Sequence, residues 1–400
     1  MPKLSFRDLD PKGKRVFIRV DYNVPLKDGE ITDDTRIRAS LPTIQDLLSR
    51  GGRLILASHL GRPKGEKNLA FSLAPVAKRL AELVDAKVHF LGETVGPEVE
   101  KAANELGEGE ILLLENVRFF PGETANDPEF AKQLAALADV YVNDAFGTAH
   151  RAHASTAGVA DHVSKAAMGA LVERELKYLQ GELEDPKRPF VVILGGKKVS
   201  DKIGVISALL DKADTILIGG AMQYAFRKAQ GHAIGKSYAV DEDLPIAKDL
   251  LDQAAAKGVN LLLPADSLEA DDFSNDANTN NIKPYTEGGG IRDDWEGLDI
   301  GQQAIDEFCA ILKDAQTVIW NGPMGVFEID AFAKGTKAVA EALANNSTAT
   351  TIIGGGDSVT AVNKFGLADK MTFMSTGGGA SLELLEGKVL PGVDALSDQS

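Results

Sequence analysis

Phe190-Val191-Val192-Ile193-Leu194-Gly195-Gly196-Lys197-Lys198-Val199-Ser200-Asp201-Lys202 reads as a strand, a glycine turn and the start of a helix. An unbroken apolar strand has no face for water, which suits a parallel sheet covered on both sides. Glycines let the backbone approach a phosphate, and lysines supply compact positive charge. The spacing Gly-x4-Gly-Lys-Ser/Thr of the phosphate loop is absent, so the turn alone does not name its ligand.

The same alternation extends in both directions. Downstream it runs through Thr215–Ile218, Val259–Leu263, Thr317–Trp320 and Thr350–Ile353; upstream through Arg15–Val20, Leu54–Ala57, Ile111–Leu114 and Val140–Val142, with a helical pattern from Leu73 to Val84. This predicts an α/β chain with two doubly wound, Rossmann-like parallel-sheet domains. A chain of 400 residues, 44% hydrophobic, has enough apolar surface for two cores. Between the two series, Leu171 to Glu184 reads as a charged helix that Asp185-Pro186-Lys187-Arg188-Pro189 ends. The expected division is 1–170, an interdomain helix and hinge at 171–188, and 189–384.

A formal charge of -16 opposes nucleic acid and anionic membranes as partners. The one cysteine, Cys309, shares a helical face with Ile305, Phe308 and Leu312 and reads as a packed thiol. With no signal-peptide run and no stretch of about 18 apolar residues, the expectation is a cytoplasmic protein. Asp276 to Glu287 places oxygens at several positions of a calcium loop, but Asn281 stands where glycine is needed and Lys283-Pro284 where an apolar residue is; a solvated loop is expected.

In the first half, four motifs follow apolar runs: Arg19-Val20-Asp21-Tyr22-Asn23-Val24-Pro25, Ser58-His59-Leu60-Gly61-Arg62-Pro63, Glu115-Asn116-Val117-Arg118 and Asn143 to His153, which includes Arg151. Arg36 follows Thr32-Asp33-Asp34-Thr35, a cap-like run that sets it in a first helical turn. Guanidinium groups gathered at strand ends suit a small, multiply charged anion. A metal at His150 and His153 is disfavoured by Arg151 between them. In the second half, Gly354-Gly355-Gly356-Asp357-Ser358 and Ser375-Thr376-Gly377-Gly378-Gly379 also follow strands and open helices, which favours phosphate oxygens. Asp357 reads either as a magnesium ligand or as a helix cap. Trp320-Asn321-Gly322-Pro323-Met324-Gly325-Val326-Phe327-Glu328 reads as a rigid turn whose terminal acid suits ribose hydroxyls, or as a plain tight turn.

Taken together, Arg19–Pro25, Ser58–Pro63, Gly195–Lys202, Trp320–Glu328, Gly354–Ser358 and Ser375–Leu396 resemble phosphoglycerate kinase from end to end. The resemblance implies that the first domain holds 3-phosphoglycerate or 1,3-bisphosphoglycerate through Asp21, Asn23, Arg36, His59, Arg62, Arg118 and Arg151. It implies that the second holds MgADP or MgATP through Gly195, Gly196, Lys198, Lys202, Gly297, Pro323, Glu328, Gly355, Gly356, Asp357 and Ser358, with Asp357 on Mg2+. Arg36, Lys198, Lys202 and the Gly377–Gly379 amides, Gly378 central among them, are then expected to stabilise the moving phosphoryl group. The segment 385–400 is expected to return to the first domain, and the enzyme to be a monomer that closes in turnover. The sequence departs from the family pattern at Lys197, where a small residue is usual, at Tyr238, where leucine is common, and at Phe373. Two readings compete: a nicotinamide dehydrogenase, which the missing Gly-x-Gly-x-x-Gly opposes, and a nucleotide-binding scaffold without turnover, which the intact cations oppose.

Overall fold

The computed structural model of the chain describes residues 2–399. They form two compact units: residues up to Lys177, joined by those from Val389 onward, and Tyr178–Lys388. The chain passes from one to the other within a helical stretch that starts at Ala170–Leu176, continues as a π-helical turn at Lys177–Gly181 and ends at Glu182–Glu184.

The strands of the first unit are β1 Arg15–Val20, β2 Leu26–Lys27, β3 Glu30–Ile31, β4 Arg53–Ala57, β5 Val88–Phe90, β6 Ile111–Leu113, β7 Val140–Asp144 and β8 Ala166–Met168. β2 and β3 make a small hairpin, and the other six form a parallel sheet ordered β5-β6-β4-β1-β7-β8. β1 lies at the centre, with Val16 beside Leu54 on one side and Val140 on the other. Its side chains alternate: Val16, Ile18 and Val20 enter the core on one face and Phe17 the core on the other. Parallel strands need crossovers, so helices such as Thr35–Ser49 and Ala74–Leu83 cover the sheet, and the strands read as apolar runs.

The strands of the second unit are β9 Phe190–Leu194, β10 Thr215–Ile218, β11 Asn260–Leu262, β12 Ser267–Ala270, β13 Thr279–Asn281, β14 Glu296–Ile300, β15 Thr317–Asn321, β16 Thr350–Gly354 and β17 Phe373–Met374. Six form a parallel sheet ordered β11-β10-β9-β15-β16-β17, while β12, β13 and β14 make a separate antiparallel sheet. Two parallel-sheet α/β domains are therefore present. The segment 276–287, expected as a loop, contributes the exposed strand β13. Cys309 lies half-buried on the helix Gln302–Asp314, with its Sγ facing the Ala338 carbonyl at 3.7 Å, and burial raises its thiol pKa. Among the described residues, no helix is long and apolar enough to cross a membrane.

Strand ends meet helix starts at buried groups. At the end of β7, the Asp144 Oδ1 accepts the Leu171 N–H at 2.8 Å, and its Oδ2 is buried without a partner. Burial pushes this carboxyl up to about 7. The unfolded group ionises near the ordinary 3.8, so the folded state binds the extra proton between those values. Its contribution is full below pH 3.8 and is lost as pH rises through about 7. Asp144→Asn keeps an acceptor for Leu171 but cannot ionise. Urea denaturation of the variant should show a flatter decline in stability than wild type from pH 4 to 7. Equal slopes in the two proteins would show that Asp144 is not the titrating group.

Candidate active site

In the first unit, the carboxyl ends of β1, β4, β6 and β7 collect cations. Arg19, next to last in β1, is fully buried, which is costly for a guanidinium unless its donors are used. Its Nε donates to Ser155 Oγ at 2.8 Å, its Nη1 to the Val20 carbonyl, and its Nη2 to His59 Nδ1 at 3.2 Å. His59 therefore accepts at Nδ1 and is neutral. Burial drives its pKa well below 6.5, with Arg19, Arg118 and Arg36 acting in the same direction and Asp21 opposing.

Asp21 anchors the other edge of the cluster. Its carboxylate pairs with the Arg36 guanidinium in the first turn of the helix Thr35–Ser49. Burial alone would raise its pKa, but the Arg36 and Arg19 guanidinium charges and the Asn23 amide bring it below the ordinary value. The cap expected upstream of Arg36 takes a different form. Asp33 accepts the Thr35 N–H at 2.7 Å, while the Asp34 carboxylate is held by Arg38 and Arg79 at 2.8–2.9 Å.

Asn116 positions Arg118: its Oδ1 accepts the Arg118 N–H at 3.0 Å and its Nδ2 donates to Leu60 O at 2.7 Å. Arg118 Nη1 reaches Gly61 O at 2.9 Å, but its Nε is buried without a partner. Burial, Arg19 and Arg151 together lower the Arg118 pKa to about 10. Asn23 Oδ1 accepts the Gly61 N–H at 2.9 Å, Arg62 is exposed beside it, and Arg151 is exposed against His150 at 3.1 Å. The structure thus brings Asp21, Arg36, His59 and Arg118 into one electrostatic group, with Asn23, Arg62 and Arg151 around it. Four arginines, Arg19, Arg36, Arg118 and Arg151, face two buried carboxylates, Asp21 and Glu123. Such a cluster of guanidinium groups, with Arg19 and Arg118 buried, suits a multiply charged anion.

Arg19 and His153 join this cluster, and neither stands among the residues expected to hold the substrate. An arginine at the end of an apolar strand was the available signal for the first.

In the second unit, the turns after β9 and β15 touch backbone to backbone. A Cβ on Gly195 would sit 2.0 Å from Pro323 O, and one on Gly322, at φ +102°, 2.3 Å from Gly195 O. Only glycine fits. Lys202 Nζ donates to Asn321 Oδ1, while burial lowers the lysine pKa against the pull of Asp201, Asp357 and Glu386. Asn321 Nδ2 is buried without a partner, and its side chain lies under Gly355, 3.1 Å from a Cβ placed there. Lys198 is half-buried near the same turn.

The helix Gly356–Lys364 is capped by Gly355 at φ +84°, so Asp357 stands in the first turn and does not cap. Its carboxylate is exposed and has no protein partner among the described residues. Ser358 Oγ accepts the Gly322 N–H at 2.6 Å, linking two turns. At the other end of that helix, Lys364 Nζ donates to Phe327 O at 2.9 Å and Glu328 O at 3.4 Å, fixing the loop from which Glu328 projects. Gly297 lies buried on β14, its N–H donating to Ser237 Oγ at 2.9 Å. Of the Gly377–Gly379 amides, that of Gly377 is already used by Ser375 Oγ at 3.1 Å. The expected three donors are thus reduced to Gly378 and Gly379.

The phosphoglycerate kinase family matches residues 6–388. The phosphoglycerate kinase of Akkermansia muciniphila is 61% identical over 399 residues, covering 100% of this chain and 99% of that protein. The cytosolic phosphoglycerate kinase of Nicotiana tabacum is 57% identical, with 98% of each covered. The solved structure of phosphoglycerate kinase from Coxiella burnetii aligns with a TM-score of 0.89 at 44% identity, over 98% of both chains.

The two buried histidines give the anion site a pH signature. Burial, with Arg118, Arg19 and Arg151, lowers His153 to about 4, whereas the unfolded group titrates near 6.5. The unfolded state takes up protons first as pH falls from 6.5 to 4, so native stability drops over that range. Thermal melts should show the drop, and His153→Gln should reduce it; a variant as acid-sensitive as wild type would contradict the assignment.

Proposed function

The chain belongs to the phosphoglycerate kinase family, and on that premise we propose how its residues divide the reaction between two domains. The reaction is the reversible transfer of a phosphoryl group from 1,3-bisphosphoglycerate to ADP, giving 3-phosphoglycerate and ATP, a step of glycolysis. A scaffold without turnover is not favoured.

In this reading, the first domain binds the phosphoglycerate. Arg118, Arg151 and Arg62 meet its anionic groups, Asp21, Asn23 and His59 line the site, and Asp21 holds Arg36 where transfer occurs. The observation that carries this is Arg118, buried among like charges with an unsatisfied N–H. The second domain binds the nucleotide through Gly195, Gly196, Lys198, Lys202, Gly297, Pro323, Glu328 and the Gly355-Gly356-Asp357-Ser358 turn. The domain limits follow the same reading, with the segment from Val389 onward belonging to the phosphoglycerate half.

Among the described residues, no group of three or more His, Cys, Asp or Glu is placed to hold a metal ion. A single carboxylate such as that of Asp357 suits magnesium that arrives with the nucleotide, since Mg2+ commonly takes one or two carboxylates plus phosphates and waters. Asp357, exposed and unpaired, would hold it, and the ion would neutralise phosphate charge when bound.

The attacking oxygen is already anionic in either direction, on the ADP phosphate or the phosphoglycerate carboxylate. No general base is needed, and the barrier is one of charge and position. Arg36, Lys198, Lys202 and the Gly378 and Gly379 amides stabilise charge on the phosphoryl group as it passes in line between the two oxygens. Substrates held on separate domains must be brought together, so closure accompanies turnover. The working form is a cytoplasmic monomer whose partners are these small molecules, not nucleic acid or membrane, as its acidic charge favours.

Arg36→Ala should lower kcat by more than about 100-fold in the assay of ATP- and 3-phosphoglycerate-dependent 1,3-bisphosphoglycerate formation. A variant within a few-fold of wild type would remove Arg36 from the transition state. Small-angle scattering should show a smaller radius of gyration with both ligands than with either; an unchanged radius would contradict closure.

A further inference from the structure

The stretch that carries Lys198 and Lys202 is held at both ends by its own backbone. Before it, the Gly195 N–H donates to Asn321 O and the Gly196 carbonyl accepts the Met222 N–H, each at 3.0 Å. After it, the Lys202 N–H donates to Val199 O at 2.9 Å and the helix Ile203–Leu209 begins. The middle is held from farther along the chain. Asp243, the first residue of the helix Asp243–Lys257, accepts the Val199 N–H on Oδ2 at 3.0 Å and the Ser200 N–H on Oδ1 at 3.3 Å. Asp243 is 2% exposed and the Val199 side chain is fully buried. A buried carboxylate is costly unless it is bonded, and this one is bonded to two consecutive amides. Two acceptor oxygens with no donor suit that pair, and the position in the first turn of a helix favours the negative charge. Ala247, Leu250 and Ala254, buried on the same helix, fix the element from which Asp243 reaches. The contact falls on the two residues that directly follow Lys198, two places short of Lys202.

We propose that Asp243 is a positioning residue for phosphoryl transfer: by clamping the Val199 and Ser200 amides it fixes the backbone from which Lys198 and Lys202 reach the phosphoryl group. The proposal rests on the reading of those two lysines as groups that stabilise the transferred phosphoryl. Asp243 acts through them and touches neither substrate. With the clamp removed, the loop between Gly196 and Lys202 can shift, and both ammonium groups shift with it. Displacement of a catalytic group by about 1 Å can cost about 100-fold in rate.

The test is steady-state kinetics of the whole protein, in the direction of 1,3-bisphosphoglycerate formation, for wild type, Asp243→Asn, Asp243→Ala and Lys198→Ala, each below its own melting midpoint. Hydrogen exchange at the Val199 amide reads the clamp itself. Asp243→Ala should lower kcat by about tenfold or more, raise KM for ATP, leave KM for 3-phosphoglycerate unchanged and speed exchange at Val199. Asp243→Asn keeps one of the two acceptors and should fall between wild type and Asp243→Ala. A lower melting midpoint with wild-type kcat, or equal changes in KM for both substrates, would overturn the proposal and leave Asp243 a purely structural residue. If Lys198→Ala lowered kcat while Asp243→Ala did not, the proposal alone would fall. If Lys198→Ala itself kept wild-type kcat, the reading of the lysines would fall and the proposal with it.

Discussion

The cation cluster of the first domain depends on holding two guanidinium groups out of water. Arg19 is fully buried, and Arg118 nearly so with one donor unused. Isolated buried charge is costly, so each guanidinium is anchored by neutral acceptors: Ser155, the Val20 carbonyl and His59 for Arg19, and the Gly61 carbonyl for Arg118. Anchoring by neutral groups satisfies geometry without cancelling charge. The charge of these two arginines is thus not cancelled by the groups that anchor them, and neutral His59 contributes an acceptor without adding a cation.

The second domain solves a different problem, that of bringing backbone close to backbone. The contact between the turns after β9 and β15 tolerates no side chain at Gly195 or Gly322. It sets Asn321 between Lys202 and the Gly355 turn, so one residue joins a cation to a helix start. The helix Gly356–Lys364 extends that order: its first turn presents Asp357, and its last residue clamps the Glu328 loop.

Strand positions were legible because buried parallel strands must be apolar: Phe190–Leu194 is both the quoted run and β9. The gathering of cations was legible from arginines placed at strand ends. Partners far along the chain were not. Arg19 is satisfied by Ser155, 136 residues away, so what holds a guanidinium inside β1 was not visible in the sequence. Asp34 reads as a cap but is claimed by Arg79, 45 residues on. Asp357 had two equal readings, and Gly355, at positive φ, decided against capping by taking the cap position itself. Lys197 and Tyr238 appeared as separate departures; only the folded chain shows them in contact.

The central claim is that two charged half-sites on separate domains each hold one substrate. The direct test is calorimetric titration of Arg118→Ala and Lys202→Ala with 3-phosphoglycerate and with MgADP separately. The account predicts that Arg118→Ala loses affinity for 3-phosphoglycerate while retaining MgADP, and that Lys202→Ala does the reverse. Either variant weakening both ligands to the same degree would contradict it.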